Sequence, residues 1–331
     1  MQGMNTALPH FLQPLGHGIY AVDTGFVRDA FDAAYLLVQD GRAAFIDTGT
    51  NFAVPRLLAS LQALGLAPEA VEFVIPTHVH LDHAGGAGLL MQHLPNATLW
   101  VHPRGARHLV DPTALWQGAL AVYGLEEMQR AYGELVAVPA QRVMPSCDGL
   151  RLYLAGRELF FADTPGHARH HHCIWDATSR GWFTGDTFGL SYRDFDTARG
   201  AWIMPTSTPV QFDPPALAAS IDRLMSFEPA CMYLTHYGRV QDVPRLAALL
   251  REQLAQVVAL GQRLQHTAAR HEALKRGLLD IYRHSLAAHG CTFNDEHLQR
   301  LLSIDLELNA QGMAVWLDTA AKTATPQQER A

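Results

Sequence analysis

The chain has 331 residues, 48% of them hydrophobic and 17% charged; this is the balance of a globular protein of one large or two unequal domains, and it excludes disordered, fibrous and collagen-like chains. The net charge is 25 − 32 = −7 with no Lys/Arg run, so the basic patch that a nucleic-acid partner calls for is absent from the sequence. Cys147, Cys173, Cys231 and Cys291 form no CxxC pair, the N-terminal stretch has neither a basic nor an apolar leader region, and no window reaches the ~18 apolar residues of a membrane span; a cytoplasmic protein with no membrane partner is expected.

Up to about Gly238 the sequence reads as a sheet protein with interspersed helices. Short apolar runs bounded by turn residues recur at 34–38, 43–46, 71–75, 98–101, 158–162, 182–184 and 232–234, each the length of a buried strand. Between them, residues 52–64 carry apolar side chains at spacings of three and four, and residues 214–227 place Leu217, Ile221 and Leu224 on one helical face. Residues 113–133 read as an inserted helical hairpin ahead of the next strands. Beyond Gly238 the β-like alternation stops. Leu246, Leu249, Leu250, Leu254, Val257 and Leu260 form one long helical stripe, and 274–288, 294–302 and 304–317 follow as further helical segments. The organisation expected is a catalytic domain over residues 1–240 and an all-helical domain over 241–331, with a frayed tail from Lys322.

The densest polar cluster follows the run 71–75: Thr77-His78-Val79-His80-Leu81-Asp82-His83, then Ala84-Gly85-Gly86. In an extended segment His78 and His80 share one side. Asp82 and His83 then fall at the turn into a helix, where small residues permit close backbone approach. Imidazoles with a carboxylate suit zinc, and iron or manganese at hydrolytic sites. Three further segments end an apolar run in a ligand-type residue: Phe160-Phe161-Ala162-Asp163-Thr164-Pro165-Gly166-His167, Phe183-Thr184-Gly185-Asp186-Thr187, and Leu234-Thr235-His236-Tyr237-Gly238. For His170-His171-His172 a solvated turn entering a strand is the favoured reading, with one of the three facing the cleft as the alternative.

In this order the motifs resemble those of the metallo-β-lactamase superfamily, in particular its dinuclear hydrolases such as glyoxalase II and the lactonases, over roughly residues 15–240. The resemblance implies an α/β fold, a four-layer αβ/βα sandwich with the metals at one edge of the two sheets, followed here by a C-terminal all-helical extension. It further implies two divalent ions, zinc first and iron or manganese otherwise. His78, His80 and His167 would hold the first ion, Asp82, His83 and His236 the second, and Asp186 would bridge them. Asp47, within Phe45-Ile46-Asp47-Thr48-Gly49, matches the family aspartate that orients the metal ligands. Two ions about 3.5–4 Å apart can share a hydroxide nucleophile and polarise a carbonyl or phosphoryl oxygen. Asp82 is the candidate proton carrier. Tyr237, beside a ligand, is a candidate oxyanion donor, with a packed tyrosine as the plainer alternative. Trp202, Ile203 and Met204, in the segment where relatives place substrate-facing loops, are expected either to wall an apolar pocket or to pack on the C-terminal helices.

The departures narrow the reading. Class B β-lactamases carry a Cys where this chain has Asp186, flavodiiron proteins carry a Glu at the position of His80, and the glutathione-contacting basic residues of glyoxalase II have no counterpart. The reading that follows is a metal-dependent hydrolase of a small ester-like substrate, thioester or lactone first and phosphodiester second. Its helical domain would cap the site or pair two copies as a homodimer. Competing readings are a metal-stabilised scaffold that binds a partner through its helices, and a mononuclear-iron enzyme like the sulfur dioxygenases.

Overall fold

In the computed structural model, which describes residues 7–208 and 210–324, the strands fall into two sheets and both sheets belong to the first of two units. That unit contains the chain up to Asp163, His170–Gly185 and Glu228–Gln241; the second contains Thr164–Arg169, Asp186–Phe227 and the chain from Asp242 onward.

The first sheet runs in chain order through β1 (Leu12–Gly16), β2 (Ile19–Asp23), β3 (Ala33–Gln39), β4 (Arg42–Ile46), β5 (Val71–Ile75), β6 (Thr98–Val101) and β7 (Val143–Pro145). It is antiparallel as far as β4 and parallel beyond it. The second sheet has the order β13 (Gly238–Val240), β12 (Cys231–Leu234), β11 (Gly181–Gly185), β10 (His172–Asp176), β9 (Arg157–Asp163) and β8 (Arg151–Leu154).

Alternation along β3 explains how the first sheet is sandwiched. Ala34 and Leu36 join a core formed with α1 (Val54–Ala63) and α3 (Ala87–His93), which includes Leu57, Leu61, Leu90 and Met91. Tyr35 and Leu37, on the opposite side, join a core with Leu159, Phe161, Ile174, Phe183 and Tyr233 of the second sheet. Both faces are therefore apolar, as expected of a sheet covered on both sides. Polar bonds also tie the two sheets near the ends that matter below. The Ala33 amide donates to the Thr235 carbonyl at 2.8 Å, and the Tyr35 hydroxyl donates to the Leu234 carbonyl.

Short helices fill the connections of this unit: α2 (Leu81–Ala84), α4 (Pro103–Val110), α5 (Thr113–Tyr123) and α6 (Leu125–Glu127), the last running into a wide π-type turn at Met128–Tyr132. The inserted hairpin expected at 113–133 is thus α5, α6 and this turn. The second unit contains α7 (Pro214–Met225), α8 (Val243–Leu264), α9 (Arg270–His289), α10 (Asp295–Leu301) and α11 (Ser303–Ala324). Helix α7 starts where two prolines follow Asp213, whose carboxylate accepts the Ala216 amide at 3.2 Å. Helix α9 ends at Gly290, in the left-handed region at φ +91°. The stripe on α8 is buried at Leu246, Leu250, Leu254, Val257 and Leu260. The end of the expected tail, past Ala324, lies outside the described residues. Among the described residues no helix is long and apolar enough to cross a membrane.

Candidate metal centre

Strand β5 delivers Pro76 and Thr77 to the edge of the first sheet, and the seven-residue cluster begins there. Val79 and Leu81 turn into the protein and are buried, which leaves the polar positions between them for the site. The His78 and His80 rings are 4.3 Å apart at their centroids, with Nε2 of one 2.8 Å from Nδ1 of the other. His80 is the N-cap of α2, a single turn that carries Asp82 and His83. The glycines after it serve close packing: a Cβ on Gly86 would sit 2.7 Å from the Thr50 carbonyl oxygen and 3.0 Å from that of Thr48.

Asp47, one residue past β4, is buried and in the left-handed region at φ +56°. Its carboxylate accepts from the Thr77 amide at 2.6 Å and from the Thr235 hydroxyl at 2.8 Å. The Thr77 hydroxyl lies 3.0 Å from both of its oxygens, and His83 Nδ1 lies 2.8 Å from Oδ2. A carboxylate is acceptor-only, so it fixes the proton on Nδ1 of His83 and turns the Nε2 lone pair the other way. His236, two residues past β12, is oriented in the same manner: Nδ1 is 2.9 Å from the Phe31 carbonyl oxygen, a group that can only accept. Both Nε2 atoms face the Asp82 carboxylate, at 3.8 Å from His83 and 3.4 Å from His236.

Asp82, His83 and His236 therefore present three ligand atoms within 4.8 Å of one another. The donor set suits a divalent ion: two imidazoles whose Nδ1 atoms are engaged by a carboxylate and a backbone carbonyl, plus one carboxylate. The remaining two ligand candidates lie in the second unit. His167 follows Gly166, where a Cβ would stand 2.3 Å from the Leu217 backbone, and Asp186 follows β11 directly. His167 Nε2 and Asp186 Oδ2 are 3.4 Å apart, and both residues are buried.

His170, His171 and His172 are all buried, which corrects the expectation of a solvated turn. The His171 ring stacks on His78 at 4.8 Å. Gly185 leaves room for it, since a Cβ there would sit 2.6 Å from His171 Nε2. His172 is held by the Pro76 carbonyl at 2.9 Å and the Ser146 hydroxyl at 2.8 Å. Burial pushes both His170 and His172 down to about 3, so both are neutral at physiological pH. Asp32, next to Phe31, was not singled out by its sequence context. Burial raises its carboxyl to about 7, against the pull of His236 and His83, and the Thr24 hydroxyl bonds it at 2.5 Å. Tyr237 is half-buried beside its histidine. Trp202, Ile203 and Met204 are fully buried. The Trp202 indole N–H donates to the Ser285 hydroxyl at 2.8 Å, and the Ile203 carbonyl accepts from Gln253 at 2.6 Å; both partners are on helices of the same unit.

Residues 29–236 match the sequence profile of the metallo-beta-lactamase superfamily. The chain belongs to that superfamily, and its two-sheet α/β architecture with a helical C-terminal region is the fold expected from the motifs. The metallo-beta-lactamase fold-containing protein ST1585 of Sulfurisphaera tokodaii is 24% identical over 73% of this chain and 85% of its own length. Its crystal structure superposes on 90% of this chain and 98% of that one with a TM-score of 0.63. The metallo-beta-lactamase family protein TTHA1429 of Thermus thermophilus superposes with a TM-score of 0.66 at 22% identity, over 93% of this chain and 95% of that one. A hydroxyacylglutathione hydrolase of Salmonella paratyphi A is 35% identical over 25% of this chain, a stretch that spans 33% of the enzyme.

Proposed function

We propose that the protein is a dinuclear metal-dependent hydrolase of a small ester-like substrate, a thioester or lactone. The observation that carries the reading is the convergence of Asp82, His83 and His236 with the Nδ1 positions of both histidines already committed to Asp47 and the Phe31 carbonyl. A histidine pinned in this way turns a fixed, more basic Nε2 lone pair toward the site and is prepared as a metal ligand. Superfamily membership and the local likeness to hydroxyacylglutathione hydrolases agree with ester chemistry.

In this reading His78, His80 and His167 would hold one ion and Asp82, His83 and His236 the other, with Asp186 as the ligand they would share. Zinc is the first choice, with iron or manganese compatible with the same donors. When bound, two divalent ions supply an activated water at neutral pH and an electrophile for the carbonyl oxygen. The residues of the chain do the rest. Asp82 takes the proton released by the attacking water and passes it to the leaving group. Tyr237 supplies a hydroxyl for the developing oxyanion. Asp47 keeps His83 in register.

Elemental analysis of the purified protein, alongside hydrolysis of thioester, lactone and phosphodiester panels, tests the proposal. Two metals per chain with turnover of a thioester or lactone support it. Two metals with no turnover of any ester, or a single iron per chain, overturn it.

A further inference from the structure

The loop from Thr24 to Asp32 joins β2 to β3 and ends against the metal centre. Two of its residues hold side chains in the left-handed region, Val27 at φ +62° and Ala30 at φ +54°. A β-branched residue is rare there, so the surrounding bonds must impose this conformation. Asp23 supplies some of them: its carboxylate accepts the Gly25 and Ala30 amides, each at 2.8 Å. Thr24 and Asp32 close the base of the loop. The Thr24 amide donates to the Asp32 carbonyl at 3.0 Å, and the Thr24 hydroxyl lies 2.5 Å from Asp32 Oδ2 and 3.1 Å from the same carbonyl.

Asp32 is a demanding residue to place there. Its side chain is fully buried, and Oδ1 has no hydrogen-bond partner among the described residues. A buried carboxyl group with unused acceptor capacity costs free energy, and departures of this kind gather at functional sites. Its neighbours show what it holds. On one side the Phe31 carbonyl oxygen is 2.9 Å from His236 Nδ1, and the Phe31 ring meets the His236 ring edge-on at 5.5 Å. On the other side the Ala33 amide donates to the Thr235 carbonyl at 2.8 Å. The backbone on both flanks of Asp32 thus grips the segment that carries His236.

We infer that Asp32 is a positioning residue for His236: bonded to Thr24, it fixes the peptide plane whose carbonyl orients the His236 ring. The Phe31 carbonyl and the Asp32 Cα lie in one planar unit, so a backbone rotation at Asp32 swings the acceptor away from His236 Nδ1. The inference rests on the reading of Asp82, His83 and His236 as ligands of one ion, and it deepens that reading by adding a residue that touches no ligand position of the ring. Partners that orient a ligating histidine typically carry about 10–100-fold of metal affinity.

The test is a zinc titration of the metal-free, full-length protein against a chromophoric chelator. The binding step that disappears in His236→Ala is the one in question. Asp32→Leu and Thr24→Val should weaken that step by about 10–100-fold and leave the other step unchanged. Asp32→Asn, whose side-chain carbonyl still accepts the Thr24 hydroxyl, should bind as the wild type does; a merely destabilised fold would spare neither step. Thr24→Val removes a single hydroxyl and carries the test if Asp32→Leu does not fold. Unchanged affinity in both variants overturns the inference, as does equal weakening of both steps. Asp32→Asn as weak as Asp32→Leu overturns it too, since charge and not position would then be at work. If the wild type has no step that depends on His236, the metal reading fails separately. Nitrogen-15 NMR of the metal-free protein then judges Asp32 alone. His236 protonated at Nδ1 in the wild type and in Asp32→Asn, but divided between tautomers in Thr24→Val, supports the inference; one identical spectrum in all three overturns it.

Discussion

Asp47 Oδ2 lies 2.8 Å from His83 Nδ1 and also accepts the Thr235 hydroxyl at 2.8 Å. One oxygen therefore governs the tautomer of a ligand candidate on the first sheet and anchors the residue before a second ligand candidate, His236, on the other sheet. Asp47→Asn keeps the volume and brings an amide N–H₂ into a pocket lined by donors. Metal affinity at Asp82, His83 and His236 should fall about 10–100-fold. Competition with a chromophoric chelator measures this directly, and unchanged affinity would show that Asp47 does not set the tautomer.

Asp186→Ala tests the proposed bridge. Bound metal and hydrolysis should fall together, because a bridging carboxylate serves both ions. Metal content from elemental analysis and turnover of the best ester substrate are the two readouts. Full activity in this variant would remove Asp186 from the ligand set.

A separate prediction concerns stability against acid. Arg157 and Asp176 form a buried two-pronged ion pair in the second sheet, with Nε–Oδ1 at 2.8 Å and Nη2–Oδ2 at 2.6 Å. Burial raises the Asp176 carboxyl, but the bonds from Arg157 and Ser179 outweigh it and the net shift is downward. A depressed carboxyl contributes stability that is complete above its unfolded value and disappears as pH falls through its folded value. Asp176→Asn should therefore cost about 3–5 kcal/mol at neutral pH, since it strands a buried guanidinium. The gap between the two melting curves should narrow below about pH 4, near the unfolded carboxylate value. Thermal melts from pH 7 to pH 3 decide it; a gap that stays constant with pH would mean the pair does not titrate with folding.

In the helical unit, a Cβ on Gly312 of α11 would sit 1.4 Å from the Ser207 carbonyl oxygen. Close by, Asn309 Oδ1 accepts the Ser207 amide at 2.7 Å, and the Asn309 carbonyl accepts the Ser207 hydroxyl at 3.1 Å. Gly312→Ala must displace the segment or the helix, at an overpacking cost of about 1–3 kcal/mol. A lower melting temperature checks this, whereas an unaltered one would mean that the helix yields without loss.

The ligand motifs were legible because each couples an apolar strand to a polar turn, and strand ends are where a sheet displays side chains. Of the interior strands, β3, β4, β5, β6, β9, β11 and β12 were legible as short apolar runs, whereas β2 (Ile19–Asp23), equally interior and mostly buried, was not. The edge strands β1, β7, β8 and β13 were not. Leu12–Gly16 contains a proline and shows only two buried positions, and Gly238–Val240 is three residues long; pairing with a neighbour, rather than pattern, defines such strands. The burial of His171 was not legible, because a histidine that stacks on another histidine has no sequence signature.

Because Asp47 and Thr77 follow strands of one sheet while Thr235 and His236 follow a strand of the other, a cation held by Asp82, His83 and His236 would act as a clasp on the seam between the sheets. Loading it should tighten that seam, by about 4 kcal/mol when free metal exceeds its dissociation constant a thousandfold. The amide protons around β4 and β12 should then exchange more slowly in concert, making metal occupancy a reporter of how firmly the two halves of the sandwich are closed.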